Sequence, residues 1–211
     1  MGTPSLLGLP QELRDIILDL VLFTERAPPQ DEATALEGRV NRHDCTDSEY
    51  ERWTNRVLHE DLEDATASGP LLRVNRKLAA DTRRALARPR KNKADLLRQP
   101  YILDILAVSG RRLLPTWLFA PALVLCVDEV VATIRMGSYE DPLESLESVM
   151  REGLFPSIVA SFHELMKRFV CCGPGSARRN GSSDKGIVIK TLTVNIASND
   201  DEPVSNSERL G

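Results

Sequence analysis

Pro156-Ser157-Ile158-Val159-Ala160-Ser161-Phe162-His163-Glu164-Leu165-Met166-Lys167-Arg168-Phe169-Val170 is the stretch on which the fold turns. Proline suits the first turn of a helix, and Ile158, Val159, Phe162, Leu165, Met166, Phe169 and Val170 then recur at offsets of three and four, a single apolar stripe. Gly173-Pro174-Gly175 ends it. Runs of period two stand on either side. Residues 128–136 alternate Val130, Ala132 and Ile134 against Val131, Thr133 and Arg135, and residues 186–196 set Val188, Lys190, Leu192, Val194 and Ile196 against Ile189, Thr191, Thr193 and Asn195. Strand, helix, strand predicts two parallel strands joined by a right-handed crossover.

Working outward, Tyr101-Ile102-Leu103-Asp104-Ile105-Leu106-Ala107-Val108 reads as a third strand closed by the turn Ser109-Gly110, whereas Pro115, Trp117 and Pro121 punctuate the next segment as a connection. Residues 137–153 read as a loop or short helix, residues 176–185 as a polar loop, and residues 198–211 as a disordered tail. Upstream, residues 71–86 form one helix burying Leu71, Val74, Leu78 and Ala85, with Ser68-Gly69-Pro70 as a break before it and a basic loop over residues 88–93 after it. Residues 48–64 are helix-permissive, with Tyr50, Trp53, Val57 and Leu58 at helical spacing. Residues 24–47, with Pro28-Pro29 and many charges, read as a mobile loop.

The N-terminal stretch Leu9-Pro10-Gln11-Glu12-Leu13-Arg14-Asp15-Ile16-Ile17-Leu18-Asp19-Leu20-Val21-Leu22 combines a helix start with an amphipathic pattern. Pro10 fits the first helical position and Glu12 the first turn, where the helix dipole favours a carboxylate. Leu13, Ile16, Ile17, Leu20 and Val21 share one side, opposite Arg14, Asp15 and Asp19. Such a stripe serves either the protein's own core or the groove of a partner.

A chain of 211 residues, 42% hydrophobic, buries a real core, and a net charge of -4 does not invite nucleic acid or anionic membrane as a whole surface. Charge is uneven along it: residues 31–64 carry a net -7 and residues 73–93 a net +8, read either as mutual neutralisation and solvation or as a basic groove for an acidic partner. Arg73, Arg76, Lys77, Arg83, Arg84 and Arg88 lack interleaved aromatics for base stacking, which argues against nucleic acid. There is no basic n-region before an apolar stretch and no run of the roughly 18–20 apolar residues that spans a bilayer, so a cytoplasmic or nuclear protein without membrane partners is expected. Cys45, Cys126, Cys171 and Cys172 form no C-x-x-C pair, and reduced thiols fit that setting.

No catalytic constellation emerges. His43, His59 and His163 are too dispersed to pair with Cys45 or Cys172 as a nucleophilic dyad, and His43-Asp44-Cys45 offers three ligands where zinc takes four. Cys171 and Cys172 read as packed helix-end thiols, and Trp53 and Trp117 as core residues. Gly173-Pro174-Gly175-Ser176 lacks the Gly-Lys-Ser/Thr ending of a phosphate loop and follows a helix instead of a strand. No catalytic residue, metal or cofactor is assigned, and a non-enzyme is expected.

Several collinear segments resemble one family, the fungal F-box-like proteins of unknown function. They are residues 9–22 and 71–86, Tyr101-Ile102-Leu103-Asp104-Ile105, Leu114-Pro115-Thr116-Trp117, Pro121-Ala122-Leu123, Val127-Asp128-Glu129-Val130, Ser161-Phe162-His163-Glu164-Leu165-Met166-Lys167-Arg168-Phe169, Cys172-Gly173-Pro174 and Ile189-Lys190-Thr191-Leu192. The resemblance implies a substrate adaptor of a cullin-RING ubiquitin ligase. Leu9, Pro10, Leu13, Ile16, Ile17 and Leu20 would meet a Skp-type adaptor protein, and the rest of the chain an unknown protein substrate. The alternative is a stand-alone scaffold or regulatory binding protein whose F-box-like helix is only structural. The fold expected is α+β, with N-terminal F-box-like helices over residues 1–90, interrupted by a charged insertion at 24–69. These pack with a small α+β module over residues 98–197, a mixed sheet of about three strands under one long amphipathic helix.

Overall fold

The fold is built around Tyr101–Val108 (β3), a strand buried on both faces, which is why its sequence is an apolar run with little alternation. The computed structural model describes residues 6–41, 56–62, 65–88, 99–108, 112–136, 155–174 and 186–197. In chain order these hold a 3₁₀ turn Leu6–Gly8, then α1 (Gln11–Phe23), α2 (Glu32–Leu36), β1 (Arg39–Asn41), β2 (Leu58–Glu60), α3 (Ser68–Val74) and α4 (Arg76–Ala87). After β3 come β4 (Arg112–Phe119), β5 (Cys126–Met136), α5 (Phe155–Cys172) and β6 (Val188–Ala197). The protein is α+β, with a mixed four-stranded sheet in the order β4-β3-β5-β6. β3 is antiparallel to β4 and parallel to β5, and β5 is parallel to β6 across α5, the strand–helix–strand arrangement expected.

One face of the sheet presents Leu103, Ile105 and Ala107 of β3 and Val130, Ala132 and Ile134 of β5 to Ile158, Leu165, Met166 and Phe169 of α5. Trp117 of β4 packs its ring on Phe169 at 4.7 Å between centroids and meets Tyr101 edge-on at 6.4 Å. The other face carries Leu106, Val108 and Leu114, closed by Ala35, Leu36 and Leu58. α5 follows its predicted stripe with one exception, Val159, which is exposed, while Ser161, Glu164 and Arg168 on its flank are buried.

The sheet has one strand more than expected. Residues 112–119 pair with β3 despite Pro115, because β4 is the end strand of this sheet and proline's missing N–H is tolerated there. The Pro115 carbonyl accepts a hydrogen bond from Arg39 Nη1 at 2.6 Å. Residues 24–47, read as a loop, contain α2 and β1. Asp31 starts α2, its Oδ1 accepting from the Thr34 N–H at 2.7 Å, and these bonds hold its carboxyl below the usual range. Val57 and Leu58 are extended instead of helical: β2 pairs with β1, and Val57 bridges Leu113 of β4. The single helix read over residues 71–86 is two. Asn75 adopts an extended conformation and accepts the Leu78 N–H at 2.9 Å, capping α4 and breaking it from α3. Ser68-Gly69-Pro70 opens α3 instead of breaking the chain, with Thr66 Oγ1 accepting the Gly69 N–H. Of the residues assigned to that helix's buried side, Leu78 and Ala85 are buried, Leu71 is half-buried and Val74 is exposed.

Charged groups stitch the N-terminal segment to the sheet. Arg135 Nε and Nη2 grip both oxygens of buried Asp104 at 2.6 and 2.7 Å, and Nη2 also donates to the Pro29 carbonyl at 3.0 Å. The hydrogen bond to Asp104 raises the Arg135 pKa further. Arg39 joins β2 to β4 through Leu58 O, Pro115 O and Thr116 Oγ1, and burial lowers its pKa.

Cys126 and Cys171 are free, but Cys172 is disulfide-bonded, against the expectation of reduced thiols. The 109–110 turn, the 137–153 and 176–185 loops, the 198–211 tail, most of the 88–93 basic loop and His43, Cys45, Tyr50 and Trp53 lie outside the described residues. Among the described residues no helix is long and apolar enough to cross a membrane.

Two measurements check this core. Phe169→Ala removes the ring between α5 and Trp117 and is expected to lower stability by about 3–5 kcal/mol in denaturant unfolding. Burial pushes the Tyr101 phenol up to about 12, and its hydroxyl donates to the Ala122 carbonyl. A native phenol that ionises later than an unfolded one contributes stability that is intact below about pH 10 and lost between pH 10 and 12. Ultraviolet titration should show one late phenol, absent in Tyr101→Phe.

Candidate docking surface

α1 is oriented by a buried charge. Arg14, 6% exposed, faces inward with Leu18 and Leu22, at positions i, i+4 and i+8 of the helix. Its Nε donates to Asp81 Oδ2 of α4 at 3.0 Å, its Nη1 to the Leu9 carbonyl at 2.6 Å, and its Nη2 to Gln11. Asp81, 2% exposed, accepts a second bond from Arg84 Nη2 at 2.9 Å through Oδ1. Both groups are therefore paired, which a buried ion requires. Around them Leu18, Leu22, Leu78 and Ala85 form a small core, flanked by Leu6, Leu7, Phe23 and Leu71. Arg88 adds an ion pair to Asp15, whose carboxyl is lowered by Gln11 and Arg88 against the opposing effect of desolvation.

The consequence lies on the opposite side. Leu13, Ile16, Leu20 and Val21 are 47%, 56%, 63% and 48% exposed. Of the six residues singled out in the sequence, Pro10, Leu13, Ile16 and Leu20 are exposed, and Leu9 and Ile17 are half-buried. Pro10 occupies the N-cap position immediately before the helix and not its first turn. Sequence periodicity found the apolar side of α1 but not the side α1 buries. The missed signal is the acid at Asp81, which shares the inward side of α4 with Leu78, Thr82 and Ala85 and calls for a cation from the neighbouring helix.

The C-terminal end of the exposed row opens into a cavity of about 290 Å³ between Val21, Leu22, Leu62, Ala67, Trp117 and Phe119. Backbone bonds fix its walls: Arg26 N donates to Leu118 O at 2.8 Å and Ala67 N to Ala120 O at 2.9 Å. Its lining is mainly apolar, with Thr24, Arg26 and Thr66 as the polar members, and Arg26 is ion-paired to Glu60 at 2.9 Å. Among the described residues its lining brings together no nucleophile with a base.

Among the described residues, other candidate chemistry does not converge. His163 is exposed and lies 3.5 Å from the buried Glu164 carboxylate, while Ser161 Oγ and both Glu164 oxygens have no hydrogen-bond partner among the described residues. Cys172 is disulfide-bonded and so offers His163 no thiolate. Among the described residues no group of three His, Cys, Asp or Glu side chains is placed to hold a metal. Of the basic residues, Lys77 donates to the Leu7 carbonyl, Arg84 to Asp81 and Arg88 to Asp15, so these three serve the helical layer. Comparison with family models, curated proteins and solved structures gave no match to this chain.

Removing one ion separates structural pairing from charge as such. Asp81→Leu leaves Arg14 buried and unpaired and is expected to cost about 3–5 kcal/mol, whereas Arg14→Met with Asp81→Leu recovers most of that loss in thermal and denaturant unfolding.

Proposed function

We propose that this protein is a noncatalytic protein-interaction module in which α1 docks a Skp-type adaptor of a cullin-RING ubiquitin ligase. On this reading α1, α3 and α4 act as the F-box-like helical unit and the sheet module presents a surface to a protein substrate. The observation that carries it is the outward-facing row Leu13, Ile16 and Leu20 on a helix whose other side is locked by Arg14 and Asp81. An exposed apolar row on a rigid helix is the form in which helices enter apolar grooves, and α1 reaches such a groove without reorganising. A row needed for the protein's own core would be buried by it. The corresponding setting is the cytoplasm or nucleus, where such ligases act.

The test is binding of the full-length chain to a purified Skp-type adaptor by calorimetry, beside a Leu13→Asp plus Ile16→Asp variant. Both positions are exposed, so circular dichroism of the variant should match the wild type. Saturable binding weakened at least about thirtyfold in the folded variant, the loss of roughly 2 kcal/mol at a contact centre, is the expected result. A wild type that does not bind leaves the stand-alone scaffold or regulatory binding protein as the reading.

A further inference from the structure

The two ends of the four-stranded sheet are finished differently. Beyond β4, the Leu113 N–H donates to the Arg56 carbonyl at 2.8 Å, Val57 bridges Leu113 and Arg39 reaches the Pro115 carbonyl, so a neighbouring segment and a proline close that edge. Beyond β6, no described residue pairs with the strand. β6 is ten residues long, a span of about 33 Å, and has no proline. Its one charge, Lys190, is paired with Asp128 of β5. The apolar face of the sheet also runs past its cover. Leu192, Val194 and Ile196 stand opposite Val130, Ala132 and Ile134 of β5. Those three β5 residues are buried in one cluster with α5, whereas the β6 residues beside them are 41%, 43% and 62% exposed. A long end strand with an aliphatic row and no unpaired charge to repel a neighbour is a template for another strand.

We infer that β6 pairs antiparallel with β6 of a second copy of this chain, about a two-fold axis through Leu192, joining two four-stranded sheets into one of eight strands. The strand's own sequence selects this partner. With Leu192 opposite its copy, Thr191 meets Thr193, Ile189 meets Asn195, Val188 meets Ile196 and Lys190 meets Val194. Aliphatic and Thr–Thr pairs are favourable across strands, and like charges directly opposite are not. In this register the two Lys190 side chains lie four residues apart along the strands, about 13 Å, and each keeps Asp128 of its own β5. The parallel alternative in register would set Lys190 against its copy. Because the β4 edges are already closed, the assembly stops at two.

Sedimentation velocity of the full-length protein over a wide concentration range tests the pairing. The wild type should be a dimer that dissociates on dilution, and amide exchange over residues 188–197 should slow as concentration rises. Leu192→Lys and Leu192→Glu, made at an exposed position, each put like charges on the two-fold axis and should sediment as folded monomers, with circular dichroism like that of the wild type. An equimolar mixture of the two variants should recover the dimer, since opposite charges then face each other across the axis. α1 takes no part in this contact, so Leu13→Asp plus Ile16→Asp should dimerise as the wild type does, whether or not the adaptor binds. A wild type that is monomeric at every concentration, exchange over β6 that ignores concentration, single variants that stay dimeric, or a mixture that stays monomeric would each overturn the pairing.

Discussion

The pairing of Arg14 with Asp81 decides how the helical layer is assembled. A guanidinium and a carboxylate that are both almost fully buried are tolerable only together, and Asp81 sits on the inward side of α4 among Leu78, Thr82 and Ala85. α1 must therefore turn Arg14 toward α4, and Leu18 and Leu22 come one and two turns on. The more apolar side of the helix is left outside. The orientation buries Leu18 and Leu22 together with the paired ions and leaves Leu13, Ile16, Leu20 and Val21 exposed.

The helical layer and the sheet are joined at one end of β4. Arg26, just past α1, and Ala67 and Ser68, at the start of α3, donate backbone hydrogen bonds to Leu118, Ala120 and Pro121. These bonds are made in or beside the cavity at the end of the α1 row, so that cavity is a junction of the two parts. On the far side of the sheet, Arg39 and the Asp104–Arg135 pair bind the N-terminal segment through backbone carbonyls as well as side chains. Charges that would be costly if left unpaired beneath α2 and β2 become the attachment of those elements to the sheet.

Each segment was legible in the sequence to the degree that it repeats a period. α5 stood out by its apolar stripe at offsets of three and four and β5 and β6 by their period of two, and the parallel pairing of the two strands came from the order strand, helix, strand. β4 was hidden by Pro115, whose meaning depends on lying in an end strand, a fact of topology and not of local sequence. α2 and β1, of five and three residues, are too short to show any period, and Asn75 is a break only because its side chain caps α4. For the candidate surface the residues were legible and the direction they face was not. Arg14 looks like a solvated position until Asp81, 67 residues away, is known to lie against it.

Carbene footprinting of the native full-length protein, read by mass spectrometry at single-residue level, tests the orientation of α1 on which the functional reading rests. Strong labelling of Leu13, Ile16 and Leu20 with protection of Leu18 and Leu22 is the expected result. Protection of Leu13, Ile16 and Leu20 together with labelling of Leu18 and Leu22 would contradict that orientation.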